Sequence, residues 1–314
     1  MNLETADATT HQAGVPHVTL RGTADDPPAQ GDRFDRIHAD ESGLPQTTQC
    51  LAVRRWDGTA DADGGLTAST DLLADEVPVA LVYNGISHAV MLASPDDLED
   101  FALGFSLSEG IVDHRAEMYD IEVVGHDLGI EIRMHLAAAA MHRLKSSRRM
   151  RTGKTGCGLC GIESLQQFDS TSGAVPCGGS VTANGLQLAM AGLGAFQHLH
   201  DSTGATHAAG WASWNGSVLL AREDVGRHNA LDKLIGAMAR QGITGDSGFA
   251  VVTSRASYEM VQKAARAGMP LLAAVSAPTA MAVRLADAAG LTLAGFVRGQ
   301  RHVVYSHPYR LPPS

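Results

Sequence analysis

The sequence predicts an α/β protein, and three observations carry that prediction. Between residues 249 and 297, apolar runs of strand length alternate with segments of helical periodicity. Two Asn-Gly pairs, Asn84-Gly85 and Asn215-Gly216, each separate two apolar runs, a strong short-range hairpin signal. Hydrophobic residues make up 44% of 314 positions, an ordinary globular composition in a chain long enough for two domains.

The elements follow in order. Residues 1–48 are rich in Asp, Ala, Thr, Pro and Gly without apolar periodicity, the composition of a disordered tail. Order begins near Cys50, and 49–150 is read as a smaller N-terminal α/β domain, with a polar loop at 57–65. Val77 to Tyr83 and Ile86 to Leu92 flank the first Asn-Gly turn. Ser94-Pro95-Asp96-Asp97 reads as a helix start, with Ser94 as cap and Pro95 at the first helical position. That helix carries Phe101, Ala102 and Phe105 and stops at Gly110. A strand pair, Asp120 to Val124 and Ile130 to Leu136, leads into a basic helix from Ala137 to Arg151.

Residues 151–170 read as a mobile loop, and 171–314 as the C-terminal domain. There, Ala183 to Leu199 is helical, the second hairpin turns at Asn215-Gly216, and a strand ends at Ala221. A charged run, Arg222 to Asn229, then precedes a helix from about Ala230. Strands at Phe249 to Thr253, Leu271 to Val275 and Leu291 to Val297 alternate with helices opened at Ser254 and at Ser276-Ala277-Pro278. Arg298 to Arg301 is a turn before a returning strand, His302 to Tyr305.

Charge and composition exclude several classes. A net charge of −10 argues against nucleic acid as a partner, because phosphate binding needs surplus Lys and Arg. No apolar run has membrane-spanning length, and the N-terminus lacks the features of a signal peptide, so the expected compartment is the cytoplasm. Four cysteines in so long a chain do not make a disulfide framework.

The chemistry concentrates in Arg148-Arg149-Met150-Arg151-Thr152-Gly153-Lys154-Thr155-Gly156-Cys157-Gly158-Leu159-Cys160-Gly161. Glycines before, between and after two thiols free the backbone, and nearby cations favour the thiolate over the thiol. Three readings follow from the residues: a persulfide or disulfide site, half of a zinc site, or two inert cysteines in a turn. Glycine and arginine neighbours disfavour the inert one.

Four further motifs resemble the formate dehydrogenase accessory sulfurtransferase family (FdhD). They are Ala221 to Lys233 (AREDVGRHNALDK), Thr253 to Val261 (TSRASYEMV), Ser276-Ala277-Pro278-Thr279, and Gly295-Phe296-Val297-Arg298. With the Cys-x-x-Cys segment they span most of residues 75 to 310. The resemblance implies a cytidine deaminase-like C-terminal domain preceded by a smaller α/β domain. It also implies sulfur received from a cysteine desulfurase and passed to the bis-molybdopterin guanine dinucleotide molybdenum cofactor for formate dehydrogenase. By motif position, Cys157 is then the persulfide carrier and Cys160 an assisting thiol. Phe296, Val297, Arg298, Gly299, Gln300 and Arg301 become the cofactor-binding stretch, no resident metal is expected, and the family suggests a homodimer. Asp224, Arg227 and His228 either shape a pocket or form a structural polar network. His207 is a candidate general base or a satisfied structural histidine.

Competing classes fit less well. A zinc deaminase needs His-x-Glu and Pro-Cys-x-x-Cys, whereas His207 is followed by Ala208-Ala209 and Pro176-Cys177 has no second cysteine at that spacing. A zinc-stapled binding protein wants two close ligand pairs, and the sequence has one. A dithiol oxidoreductase would need a thioredoxin-like pattern around the pair.

Overall fold

The computed structural model of the chain describes residues 43–56, 66–149 and 174–312. The α/β class is borne out, in two main sheets and one ribbon. The ribbon pairs β1 (Thr48–Trp56) with β2 (Leu66–Ala74), the latter a strand that the apolar pattern does not predict. Residues 43–47, assigned to the tail, are already structured: Leu44 packs against a hydrophobic core. The remaining tail and the loop at 57–65 lie outside the described residues.

The first main sheet has four strands in the order β4 (Ile86–Ala93), β3 (Val77–Tyr83), β6 (Gly129–Leu136), β5 (Met118–His126). Asn84 and Gly85 take positive φ values of 46° and 77°, as the Asn-Gly hairpin requires. Helices α1 (Leu98–Ser108) and α2 (Ala138–Arg149) cover the inward-facing side chains, among them Leu81, Phe101, Ile132 and Met141. Each such buried side chain contributes about 1.5–3 kcal/mol relative to an exposed one.

The second sheet is mixed, in the order β12 (Arg301–Ser306), β11 (Thr292–Arg298), β10 (Leu271–Ala274), β9 (Gly248–Val252), β7 (His207–Ser213), β8 (Val218–Asp224). Only β9, β10 and β11 run parallel, which is what the helical crossovers between them demand. On one face, α5 (Arg227–Gln241), α6 (Tyr258–Arg266) and α7 (Ala280–Ala289) bury Leu231, Met260 and Ala286. On the other, α3 (Ala183–Leu193) buries Leu186 and Leu193 over Phe249 and Val251. A short helix, α4 (His198–Thr203), follows α3 after a 3-10 turn, so the predicted stretch 183–199 is broken at Gly194 to Gln197.

Helices α1 and α5 join the two sheets through glycine. A Cβ on Gly104 would overlap the Asp232 carbonyl, and one on Gly236 the Asp100 carbonyl. Removing both side chains lets the helix backbones meet. Around this crossing, buried charges are paired. Lys263 Nζ lies 2.9 Å from Asp232 and 2.9 Å from Glu109, while Arg222 and Arg240 share Asp100 at 2.7 and 3.0 Å. Burial pushes the Asp232 carboxyl up, with Lys263 and the Ser108 hydroxyl opposing the rise. Burial alone would lower Lys263, but Asp232 and Glu109 more than offset it and raise it.

Several predicted helix starts are displaced. Ser94 does not cap α1: Asp97 precedes it in a left-handed conformation (φ 48°), and Ser94 is buried in the packing between the sheets. Ser257, not Ser254, precedes α6, and Thr279 caps α7 by accepting the Ala282 N–H at 3.2 Å. α5 begins at Arg227, earlier than Ala230, because β8 continues through the charged residues to Asp224. Among the described residues no helix is long and apolar enough to cross a membrane.

Candidate functional site

The parallel strands β9, β10 and β11 all end on one edge of the second sheet. β7 runs antiparallel to β9, and His207 pairs with Asp224 of β8, so both residues arrive at that edge too. All four family-like motif segments therefore meet there. Their loops are tied together by main-chain bonds. Thr279 N–H donates to the Ala256 carbonyl at 3.1 Å, and Phe296 N–H to the Ser276 carbonyl at 3.2 Å. Carboxyl ends of parallel strands are where open α/β sheets hold ligands.

The stretch Phe296 to Arg301 sits at the outer part of this edge, where β11 turns into β12. Phe296 has φ 52°, a left-handed conformation costing an L-residue about 1–3 kcal/mol. The register between β11 and β12 shifts from Gly295 to Arg298, so this residue lies in a bulge. Val297 is fully buried and anchors the strand, while Phe296 is 37% exposed. The Arg298 guanidinium carbon lies 6.0 Å from the Phe296 ring centroid, within cation–π range. Gly299 makes the turn at φ 62°; Gln300 and Arg301 are exposed beyond it, and the Arg301 carbonyl accepts from Gln187 at 3.1 Å. An exposed aromatic plane and an exposed guanidinium are thus displayed side by side. The Phe296 N–H, however, is already spent on Ser276 and is not available to a ligand.

At the opposite part of the edge lies a charged cluster. Asp224 is buried and fully engaged: Oδ2 accepts the Ser94 N–H at 3.0 Å and pairs with Lys233 at 2.8 Å, and Oδ1 accepts from Gly226 and Asn229. Of the two readings of Asp224, the structural network is the one realised. His228 Nε2 is 2.7 Å from Glu259 Oε2 and 3.5 Å from the Ser257 hydroxyl, joining the starts of α5 and α6. Glu259 was not singled out in the sequence; its place two residues after Ser257 inside a matching motif was the available signal. His207 is half-buried, and burial lowers its pKa, with Arg227, His200 and His228 adding to the fall. Arg227 makes no ion pair or hydrogen bond to a described residue that would fill its buried Nε.

Cys157, Cys160, Arg151 and Lys154 lie outside the described residues. Arg148 and Arg149 end α2, whereas Arg143, earlier in that helix, is bound by Glu117 at 2.5 Å and so is not a free cation. Arg143 holds the Glu117 carboxyl below its ordinary range. Cys50 and Cys177 are free and exposed. Among the described residues no group of three or more His, Cys, Asp and Glu is placed to hold a metal ion. A cleft of about 480 Å³ opens beside β8, walled by Leu72, Phe196, His198 and Arg222, but its carboxylates are engaged. Glu223 accepts the N–H groups of Leu199 and His200, and Asp97 is 3.3 Å from Arg222.

Residues 74–312 match the FdhD/NarQ family. The chain is 57% identical over 267 residues to the sulfur carrier protein FdhD of Cupriavidus necator, covering 85% of this chain and 91% of that one. It is 55% identical over 241 residues to the sulfur carrier protein FdhD of Variovorax paradoxus, covering 77% and 87%. Its fold is that of a crystal structure described as a proposed formate dehydrogenase accessory protein from Desulfotalea psychrophila. The TM-score there is 0.64 at 21% sequence identity, over 85% of this chain and 100% of the other. By residues matched and by the identity and coverage of these relatives, the chain belongs to the FdhD/NarQ family.

Proposed function

We propose that this protein carries sulfur as a persulfide on Cys157 and delivers it to the bis-molybdopterin guanine dinucleotide molybdenum cofactor destined for formate dehydrogenase. A cysteine desulfurase is the donor, the protein works as a homodimer, and the compartment is the cytoplasm. The observation that carries the reading is the left-handed Phe296 beside Arg298 at the carboxyl end of β11. A strained residue holding an aromatic ring in the open, next to a guanidinium, suits a planar heterocycle attached to phosphates. The names of the relatives, sulfur carrier proteins, supply the sulfur.

In the loading step the Cys157 thiolate attacks the outer sulfur of the donor's persulfide. A new S–S bond forms on Cys157, the donor's S–S bond breaks, and the donor cysteine leaves as a thiolate. The arginines at 148, 149 and 151 favour the attacking thiolate and attract an anionic cofactor. Cys160 assists when the sulfur is released. The cofactor is held as substrate through its guanine against Phe296 and Arg298, with Val297 fixing the strand behind them and Gly299, Gln300 and Arg301 closing the turn.

The test is calorimetry of GDP, as a fragment of the cofactor, against the full chain and Phe296→Ala. Binding by the wild type and at least tenfold weaker binding by the variant is the expected result; equal affinities would remove this corner from the site.

A further inference from the structure

Helices α5 and α6 start at the candidate site and end, together with α1, around a recess of about 240 Å³. All three close in the same way. Each is followed by a glycine in the left-handed conformation, Gly110, Gly242 and Gly268, with φ of 67°, 69° and 71°. The N–H of the next residue then bonds back across the last turn. Ile111 donates to the Ser106 carbonyl at 2.8 Å, Ile243 to Met238 at 2.9 Å, and Met269 to Ala264 at 2.9 Å. Such a closure returns an apolar residue to the helix it ends. The recess is accordingly apolar inside, lined by Val112, Met238, Ile243 and Met269. Val112, Met238 and Met269 belong to the buried cores, so these walls are fixed by packing.

The rim carries one charge of each sign, Arg266 and Asp113, both exposed. Arg266 lies across bare backbone at Gly110, where a Cβ would stand 1.7 Å from its guanidinium. Glu109 beside it pairs with Lys263 at 2.9 Å, and among the described residues no carboxylate pairs with Arg266. Asp113 is 3.3 Å from Arg143, whose closer partner is Glu117, and its side chain stays 62% exposed. Three helix carboxyl ends add partial negative charge at the same place. A hydrocarbon alone would leave both rim charges unused. An anion alone would meet Asp113 and the helix ends, and a cation alone would meet Arg266.

We propose that this recess binds a free aliphatic α-amino acid of the size of leucine or methionine. The side chain fills the apolar interior, the α-carboxylate meets the Arg266 guanidinium, and the α-ammonium meets Asp113 and the helix ends. At about 30 Å³ for a group the size of a water molecule, the recess holds about eight such groups, which suits a ligand this small. A protein terminus carries only one of the two charges and matches half of the rim. The site is separate from the strand edge that holds Phe296 and does not depend on the function proposed above.

The probe is L-leucine, titrated into the full chain with its methionine methyl groups isotopically labelled and followed by NMR. The Met238 and Met269 methyl resonances should shift and saturate. In parallel, 4-methylpentanoate lacks the ammonium and 3-methylbutylamine lacks the carboxylate, and each should bind roughly tenfold or more weakly than leucine. N-acetyl-leucine and leucinamide stand in for chain termini and should be weakened likewise. Arg266→Gln should weaken leucine roughly fivefold or more while leaving 3-methylbutylamine unchanged, because the amine has no carboxylate to lose. Ala239→Leu fills the recess from α5 and should abolish binding. Should that variant not fold, the wild-type methyl shifts and Arg266→Gln, altered only at an exposed side chain, still decide. Unshifted Met238 and Met269 methyls, or equal leucine affinity in Arg266→Gln, would overturn the proposal. Equal binding of either singly charged analogue would overturn the amino-acid assignment. N-acetyl-leucine or leucinamide binding as tightly as leucine would make the occupant a protein terminus and overturn it too.

Discussion

Asp224 accepts the main-chain N–H of Ser94 at 3.0 Å, across 130 positions of sequence. The Ser94 hydroxyl returns the contact by accepting the Val225 N–H at 3.1 Å, and its carbonyl accepts from Lys233 Nζ at 3.0 Å. The end of β4 is thereby fastened to the end of β8, inside the charged cluster. Lys233 is wholly buried between Asp224 and Asp96, and this charged triad holds the first sheet against the edge that carries the candidate site.

Removing one partner should therefore be costly. Lys233→Met leaves the buried Asp224 carboxylate without its cation, and it should lose about 3–5 kcal/mol in a urea unfolding titration. A loss below about 1 kcal/mol would mean that water or a rearranged neighbour compensates the carboxylate.

The helix crossing predicts a steric effect of comparable sign. Gly104→Ala places a methyl against the Asp232 carbonyl, and Gly236→Ala places one against Asp100. Each should destabilise by about 1–3 kcal/mol through overpacking, although alanine is the better helix former. A stabilised Gly104→Ala would show that α1 and α5 can separate without loss.

His207 gives a pH dependence. Its folded pKa is below the ordinary value, first through burial and then through Arg227, His200 and His228. Its contribution to stability is present above the unfolded value, about 6.5, and is lost as pH falls through the folded value. His207→Phe should flatten the fall in stability on the acid side of the unfolded imidazole value. An unchanged profile would place the acid sensitivity on another group.

Much of this fold was legible in the sequence because its signals are local. Asn84-Gly85 and Asn215-Gly216 set the β3–β4 and β7–β8 hairpins, and apolar runs set the positions of β9, β10 and β11 within a residue or two. What was not legible depends on distant partners. Ser94-Pro95-Asp96-Asp97 has the composition of a helix start, but Ser94 is claimed by Asp224 and Val225, and the helix begins later. Ser254 likewise looks like a cap, yet the chain needs the residues up to Ser257 to cross from β9 to α6. β2 escaped notice because most of Leu66 to Ala74 is exposed on a ribbon, without the buried alternation that marks a strand. At the site, Phe296 to Arg301 came from motif resemblance; the left-handed Phe296 could not have been read from residues that are neither Gly nor Asn. Glu259 needed the spatial meeting of two helix starts before it had a role.

For the nucleotide corner, Arg298→Ala should weaken GDP binding by about 1.5–3 kcal/mol in calorimetry, the loss of a charge-assisted hydrogen bond. Adenine nucleotides should bind more weakly than guanine nucleotides to the wild type. Equal GDP affinity in the variant would remove Arg298 from the site.

The basic approach to the thiols predicts a salt effect. Reversing the charges of Arg148, Arg149 and Arg151 should slow sulfur loading, and raising ionic strength on the wild type should do the same. A rate independent of salt would leave those arginines as a solvated surface.

The central claim is that Cys157 carries the sulfur. Incubation of the full chain with a cysteine desulfurase and cysteine, followed by intact and peptide mass spectrometry, tests it most directly. The prediction is one added sulfur atom on Cys157, absent in Cys157→Ala, reduced less severely in Cys160→Ala, and removed by a reducing thiol. An adduct confined to another cysteine, or full activation of formate dehydrogenase by Cys157→Ala, would contradict it.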